Sequence, residues 1–192
     1  MIGEQLATPL TVPKSAIAAG PWKVISTSRL TAAAATVSLQ NLDGVYPPSS
    51  LTPTFTGFRF FCHVINDGTA GSVGIDLNNA NGDFWVQRLI GSVSGVTGNL
   101  VPYETNLNTG LTLMANGSQI CSYYTNSLVS AYSGQGLIAL AGVQTSSTVV
   151  DQVQMYAAWS GGTYQSINRV DFKKSSGNFA AGSLFIVQGW SM

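Results

Sequence analysis

Phe58-Arg59-Phe60-Phe61-Cys62-His63-Val64-Ile65 alternates with a period of two. In an extended strand this puts Phe58, Phe60, Cys62 and Val64 on one face and Arg59, Phe61, His63 and Ile65 on the other. The first face reads as core. The second is too apolar to stand bare in water, so Phe61, His63 and Ile65 are expected to meet a loop, the N-terminal segment or a neighbouring subunit.

The same rhythm extends in both directions. Upstream stand Trp22-Lys23-Val24-Ile25-Ser26-Thr27 and Thr36-Val37-Ser38-Leu39, rich in β-branched and aromatic residues. Downstream, Val73-Gly74-Ile75-Asp76-Leu77 and Phe84-Trp85-Val86-Gln87-Arg88-Leu89 flank Asn81-Gly82, a dipeptide that tolerates positive φ and predicts an antiparallel hairpin between them. Residues 91–110 are rich in Gly, Ser and Asn and read as more loop than element, and residues 125–133 as one or two helical turns. Strand-like runs return at residues 111–114, 119–124, 137–140, 149–159, 168–172 and 183–188. No run has the length and 3.6-residue period of a helix, and no fixed-period repeat is present. The pattern predicts an all-β fold, an antiparallel jelly-roll-like β-sandwich over residues 21–192. Ahead of it, residues 1–20 lack alternation, and Pro9 and Pro13 deny ladder hydrogen bonds, so this segment reads as an extended arm that contacts a neighbour, the alternative being a disordered tail of no consequence.

Composition narrows the partners. Of 192 residues, 45% are hydrophobic and only 8% charged, with Lys+Arg 8 offset by Asp+Glu 8, against about 25% charged in an average soluble domain. Such a surface has no basic excess to attract nucleic acid or an anionic membrane. No stretch reaches the ~18 unbroken apolar residues of a membrane-spanning helix, and the N-terminus lacks a secretory pattern, so a cytoplasmic origin is expected. Two readings stand for Cys62 and Cys121: a disulfide, or buried free thiols, which a reducing compartment favours.

Chemistry-bearing constellations are absent from the sequence pattern. His63 is the single histidine and sits within a strand; Cys62 beside it points to the opposite face, so the two cannot share a zinc ion. The carboxylates Glu4, Asp43, Asp67, Asp76, Asp83, Glu104, Asp151 and Asp171 are scattered. Residues 76–83 begin like a calcium loop but place Ala80 and Gln87 where the fifth and twelfth ligands belong. No catalytic, cofactor or metal residues are therefore assigned, and the chain is expected not to be an enzyme. The aromatic residues Trp85, Tyr103, Tyr123, Tyr124, Tyr132, Tyr156, Trp159 and Tyr164 suit either a stacked sugar or a core and subunit interface, the second being favoured.

One motif is distinctive. The stretch from Ile167 to Trp190 contains Ser175-Ser176-Gly177-Asn178-Phe179-Ala180-Ala181-Gly182-Ser183 between two strand-like runs. It resembles the closing strands of a family of tailed-bacteriophage structural proteins, which end in a strand, an SSGNFxxGS turn and a last strand finishing in LYG. Here Val187-Gln188-Gly189 stands at that ending, without the tyrosine. An opening strand at Trp22 and the residues between Asn66 and Asp83 are similar to the same family. The resemblance implies a jelly-roll-like sandwich on a phage particle, with Gly177, Asn178, Phe179, Gly182 and Ser183 as fold markers. The expected function is a capsid decoration protein, bound to the major capsid protein or other virion proteins. A tail or head-fibre protein that binds a host surface glycan is the alternative. Self-association is expected as well, with a trimer favoured, since so few charges leave apolar strand faces to be buried by closed symmetry.

Overall fold

The computed structural model describes residues 22–42, 55, 57–78, 84–104, 106–126, 128–129, 136–159 and 165–190. The expected arm with Pro9 and Pro13, and the Asn81-Gly82 turn, lie outside the described residues. In chain order the strands are β1 Trp22–Arg29, β2 Thr36–Leu39, β3 Gly57–Ile65, β4 Val73–Leu77, β5 Phe84–Ser92, β6 Gly95–Glu104 and β7 Leu107–Asn108. They continue as β8 Ser118–Asn126, β9 Leu128–Val129, β10 Gly136–Gln144, β11 Val150–Trp159, β12 Gln165–Ser166, β13 Val170–Lys174 and β14 Leu184–Trp190. The fold is an all-β sandwich, as the alternation requires. An eight-stranded sheet ordered β1-β14-β3-β8-β10-β11-β5-β6 faces a four-stranded sheet ordered β2-β13-β4-β7, and β12 pairs β9 beside them. All the pairings are antiparallel.

Period-two patterning places the core between the sheets. Phe58, Phe60, Cys62 and Val64 of β3, Phe185 and Val187 of β14, and Val153, Met155 and Ala157 of β11 point inward from the larger sheet. Val37, Leu39, Val73, Ile75, Leu77, Val170 and Phe172 meet them from the smaller one. Cys62 and Cys121 are direct partners across the β3–β8 ladder, buried and unbonded. Their mutual hydrogen bond and their burial push the Cys62 thiol well up, and burial does the same to the Tyr123 phenol beside them, so neither is a nucleophile at neutral pH.

Three expectations are corrected. Val73–Leu77 and Phe84–Ser92 do not form a hairpin: β4 pairs β13 and β7 in the smaller sheet, while β5 pairs β11 and β6 in the larger. β4 is buried at every residue, with β13 on one side of it and β7 on the other, which leaves no free edge for β5. Residues 91–110 are not mainly loop, since β5 runs on through Ser92, turns at Val93-Ser94 and returns as β6. A strand at the rim can be Gly- and Asn-rich because its ladder with β5, not its side chains, holds it. Thr125 and Asn126 extend β8, and Leu128–Val129 is a strand, in place of helical turns.

The motif of residues 175–183 carries the chain from one sheet to the other, and the reason for its composition is now visible. Gly177 (φ 69°) and Gly182 (φ 91°) hold left-handed backbone. Phe179 is fully buried, its ring 5.1 Å from that of Phe185, and its backbone bridges both Ala34 and Asn66. Ser183 Oγ accepts a hydrogen bond from the Ile65 amide at 3.0 Å, and the Asn178 amide donates to Asp67 Oδ2 at 3.0 Å. At the centre lies the Lys174 ammonium, its side chain 0% exposed. It donates to Asn66 Oδ1, to the Thr69 carbonyl at 3.0 Å and to the Asn178 carbonyl at 3.0 Å, with Asp67 Oδ1 at 3.8 Å. Burial lowers the Lys174 pKa and Asp67 opposes that shift.

Two predictions follow from this corner. A Cβ at Gly177 would lie 2.5 Å from the Thr69 Cβ in a backbone conformation that side chains resist. Gly177→Ala should therefore cost about 2 kcal/mol or more, a fall in Tm of roughly 4–8 °C for a chain of this size, and an unchanged melting curve would refute it. Asp67 is held below its ordinary pKa, chiefly by the Asn178 amide. Its contribution is thus complete above the ordinary Asp range and disappears as pH falls through the lower folded-state value. Asp67→Asn should melt below the parent at pH 7, and the two curves should converge by about pH 2; a gap that persists in acid would show that the carboxylate charge is not what matters.

Candidate functional site

Cross-strand register decides which side chains share the outer face of the eight-stranded sheet. Phe61 stands opposite Ile186 and Ser122, and His63 opposite Leu184 and Ile120. Ser122 pairs with Leu140, Leu140 with Gln154, Gln154 with Leu89, and Leu89 with Gly98. Direct partners in an antiparallel ladder point to the same side. One continuous face therefore runs from β1 to β6.

That face is apolar. Among the described residues, every exposed large hydrophobic side chain except Val93 lies on it: Trp22 and Val24 on β1, Trp190 on β14, Ile120 on β8, Leu140 on β10, Val150 and Tyr156 on β11, Trp85 and Leu89 on β5, and Val96 and Leu100 on β6. Scattered exposed apolar residues need no explanation, but a contiguous array does. At the β1 side, Trp22 packs near Trp190 and Tyr124, at ring separations of 6.3 and 6.5 Å, and the Arg59 guanidinium lies 5.3 Å over the Tyr124 ring. From β8 to β6, the described outward positions carry no Asp, Glu, Lys, Arg or His.

The centre of this half is a trough of about 590 Å³ lined by Leu89, Val96, Ile120 and Leu140, with Gly91 and Gly142 in its floor and Gln152 and Gln154 beside them. Two ion pairs lie across the sandwich. On the outward side of the smaller sheet, Lys173 pairs with Asp76 and Arg169 Nε with Asp171 Oδ1 at 2.8 Å. Burial holds Asp76 above its ordinary pKa in spite of Lys173, and Asp171, its direct partner across the ladder, pushes the same way.

The expected interface residues fall where the alternation put them. Phe61, His63 and Ile65 are half-buried on the β3 stretch of this face, and the fold-marker residues occupy the crossing described above. Sequence reasoning missed Ile120, Leu140, Leu89 and Val96, and named Trp85 and Tyr156 without placing them on this face. Of the aromatic residues considered, Tyr123 is core, Tyr124 is half-buried, and Trp85 and Tyr156 are exposed on the outer face. The side chains of Tyr103, Tyr132, Trp159 and Tyr164 lie outside the described residues. No group of three or more His, Cys, Asp or Glu residues that could hold a metal ion occurs among the described residues. No family model, curated protein or solved structure matches the chain.

The trough glycines give a test of whether the face serves the fold. A Cβ at Gly91 would come no nearer than 4.0 Å to any atom, and one at Gly142 no nearer than 3.8 Å. Neither has a positive φ. In dilute protein, Gly91→Ala and Gly142→Ala should each raise stability by about 0.5 kcal/mol, by restricting the unfolded chain. A lowered Tm in both would mean that the interior needs these glycines.

Proposed function

We propose that this chain is a non-enzymatic structural protein of a tailed-bacteriophage particle that acts by contact, most simply as a capsid decoration protein. The observation that carries the reading is the apolar face from β8 to β6, whose described outward positions carry no charge, on a sandwich with the ion pairs Lys173–Asp76 and Arg169–Asp171 on the opposite side. A face of this kind adheres through shape and apolar area, as the joints of a shell require. The placement on a phage particle rests on the resemblance of residues 167–190.

A second reading has its own observation. Trp85 and Tyr156 are exposed on adjoining strands with Gln87 and Gln154 among them, and rings beside amides suit stacked, hydrogen-bonded carbohydrate. A tail or head-fibre protein that binds a host glycan would use that set.

Antibody against the chain, applied to intact particles of the phage that encodes it and imaged by electron microscopy, separates these readings. Uniform label over the head is expected for decoration, and label confined to the tail favours the glycan reading. A chain found only in the soluble lysate, with unlabelled particles, would sink both. Attachment to undecorated capsids should also change little between low and moderate salt, because no net charge is there to be screened. A steep loss of affinity with salt would shift attention to the Lys173 side of the molecule.

A further inference from the structure

We infer that two copies of this chain pack face to face through the outer side of β8, β10, β11, β5 and β6. They are related by a twofold axis, with the Ile120 and Leu140 ridge of each seated over the glycine-floored trough of the other. The inference rests on reading this face as an assembly surface, and it names the occupant.

The floor of the trough is the first argument. Gly91 and Gly142 sit in strands, where glycine is costly, yet neither the backbone angles nor neighbouring atoms of this chain require it. What a missing side chain does provide there is depth, so that atoms from outside can approach the sheet. The flanking Ile120 and Leu140, 54% and 51% exposed, are ridges of the kind that such a depth admits. Hole and knob therefore lie side by side on one surface, as a self-complementary contact demands.

The second argument is electrostatic. A twofold contact brings groups close to its axis near their own copies, so a charge at the centre of the face would meet like charge. The described outward positions from β8 to β6 avoid this by carrying no charge, while Gln152 and Gln154 offer amides that both donate and accept and so can pair across the axis. A partner of another kind would need no such restriction. Area is the third. Five strands from β8 to β6, about 4.8 Å apart and about 30 Å long, present roughly 700 Å², close to the ~800 Å² per partner of a standard interface. Contact across two sheet faces closes at two copies, in place of the threefold assembly expected from composition.

The test uses the full chain at micromolar concentration, with mass measured by light scattering and folding checked by melting. The parent should weigh two chains. Leu140→Lys and Leu140→Glu, at an exposed position, should each stay folded and weigh one chain, and an equal mixture of the two should recover the two-chain mass. Gly142→Val, which fills the trough, should also weigh one chain. A monomeric or trimeric parent, or a dimer that ignores these substitutions, would overturn the inference. So would a parent that becomes dimeric only after residues 1–20 are removed, since the trough would then hold that segment. Attachment to phage particles is read in parallel. A monomeric parent whose attachment fails on Leu140→Lys overturns the dimer and keeps the assembly role. A dimer that behaves as expected but never attaches to particles supports the inference and removes the particle role.

Discussion

Four crossings between the two sheets converge on one corner, and the sandwich depends on how their backbone groups are satisfied there. The chain passes from β1 to β2, from β3 to β4, from β7 to β8 and from β13 to β14 within reach of Phe179 and Lys174. A crossing takes the chain out of its ladder, and each freed amide or carbonyl that is buried without a partner costs about 1–3 kcal/mol. These segments supply one another: Ala34 and Phe179 exchange two bonds, Ala180 donates to Ile65, Gly182 donates to Leu30, and Gly68 donates to Ala115. The Asn66 amide reaches the carbonyls of Leu113 and Met114. A buried ammonium finishes the task, because one Lys174 Nζ takes up the Thr69 and Asn178 carbonyls and the Asn66 side chain together. The charge is tolerable because Asp67 lies beside it, and Asp67 is in turn fixed by the Thr69 and Asn178 amides.

This closure explains why the distinctive sequence lies where it does. The glycines of residues 175–183 answer to backbone geometry, Phe179 to the gap between the sheets and Ser183 to the edge of β3. All of these residues serve the crossing. The exposed apolar surface that closure leaves over is the outward side of the larger sheet.

How much of this could be read in advance depends on whether a feature is local. The alternation of Phe58–Ile65 and of the last strand, the core residues on them and the fold-marker turn were legible, since each is a property of consecutive residues. The sheet to which β4 belongs was not, because Asn81-Gly82 signals a turn but carries no information about pairing with β13, almost a hundred residues away. β6 was hidden for the opposite reason. An exposed rim strand needs no apolar alternation, so Gly95, Gly98 and Asn99 read as loop. The apolar face itself required register: Ile120, Leu140 and Leu89 are unremarkable one strand at a time and become a surface only once the ladders align them. The outward direction of His63 and its neighbours was legible because their strand carries both faces in plain alternation.

The edges of the larger sheet bear on how such a face can be used. At β1 the rim is broken by a bulge between Val24 and Ser26 and carries exposed Lys23 and Arg29, the devices that discourage strand addition. At β6 the register also shifts near its end, Gly95 and Gly98 weaken the strand, and Pro102 lacks an amide to donate. Neither rim offers a long, regular ladder to a neighbour, so growth of the sheet edge to edge is disfavoured. The apolar face is not protected in that way, and it has a fixed extent bounded by Arg29, Arg59 and His63 toward β1. On the proposed face-to-face packing, a sticky face between guarded edges would give a contact of limited size that closes, instead of a fibre that extends. That is the condition under which a chain with so little charge can carry so much exposed apolar surface.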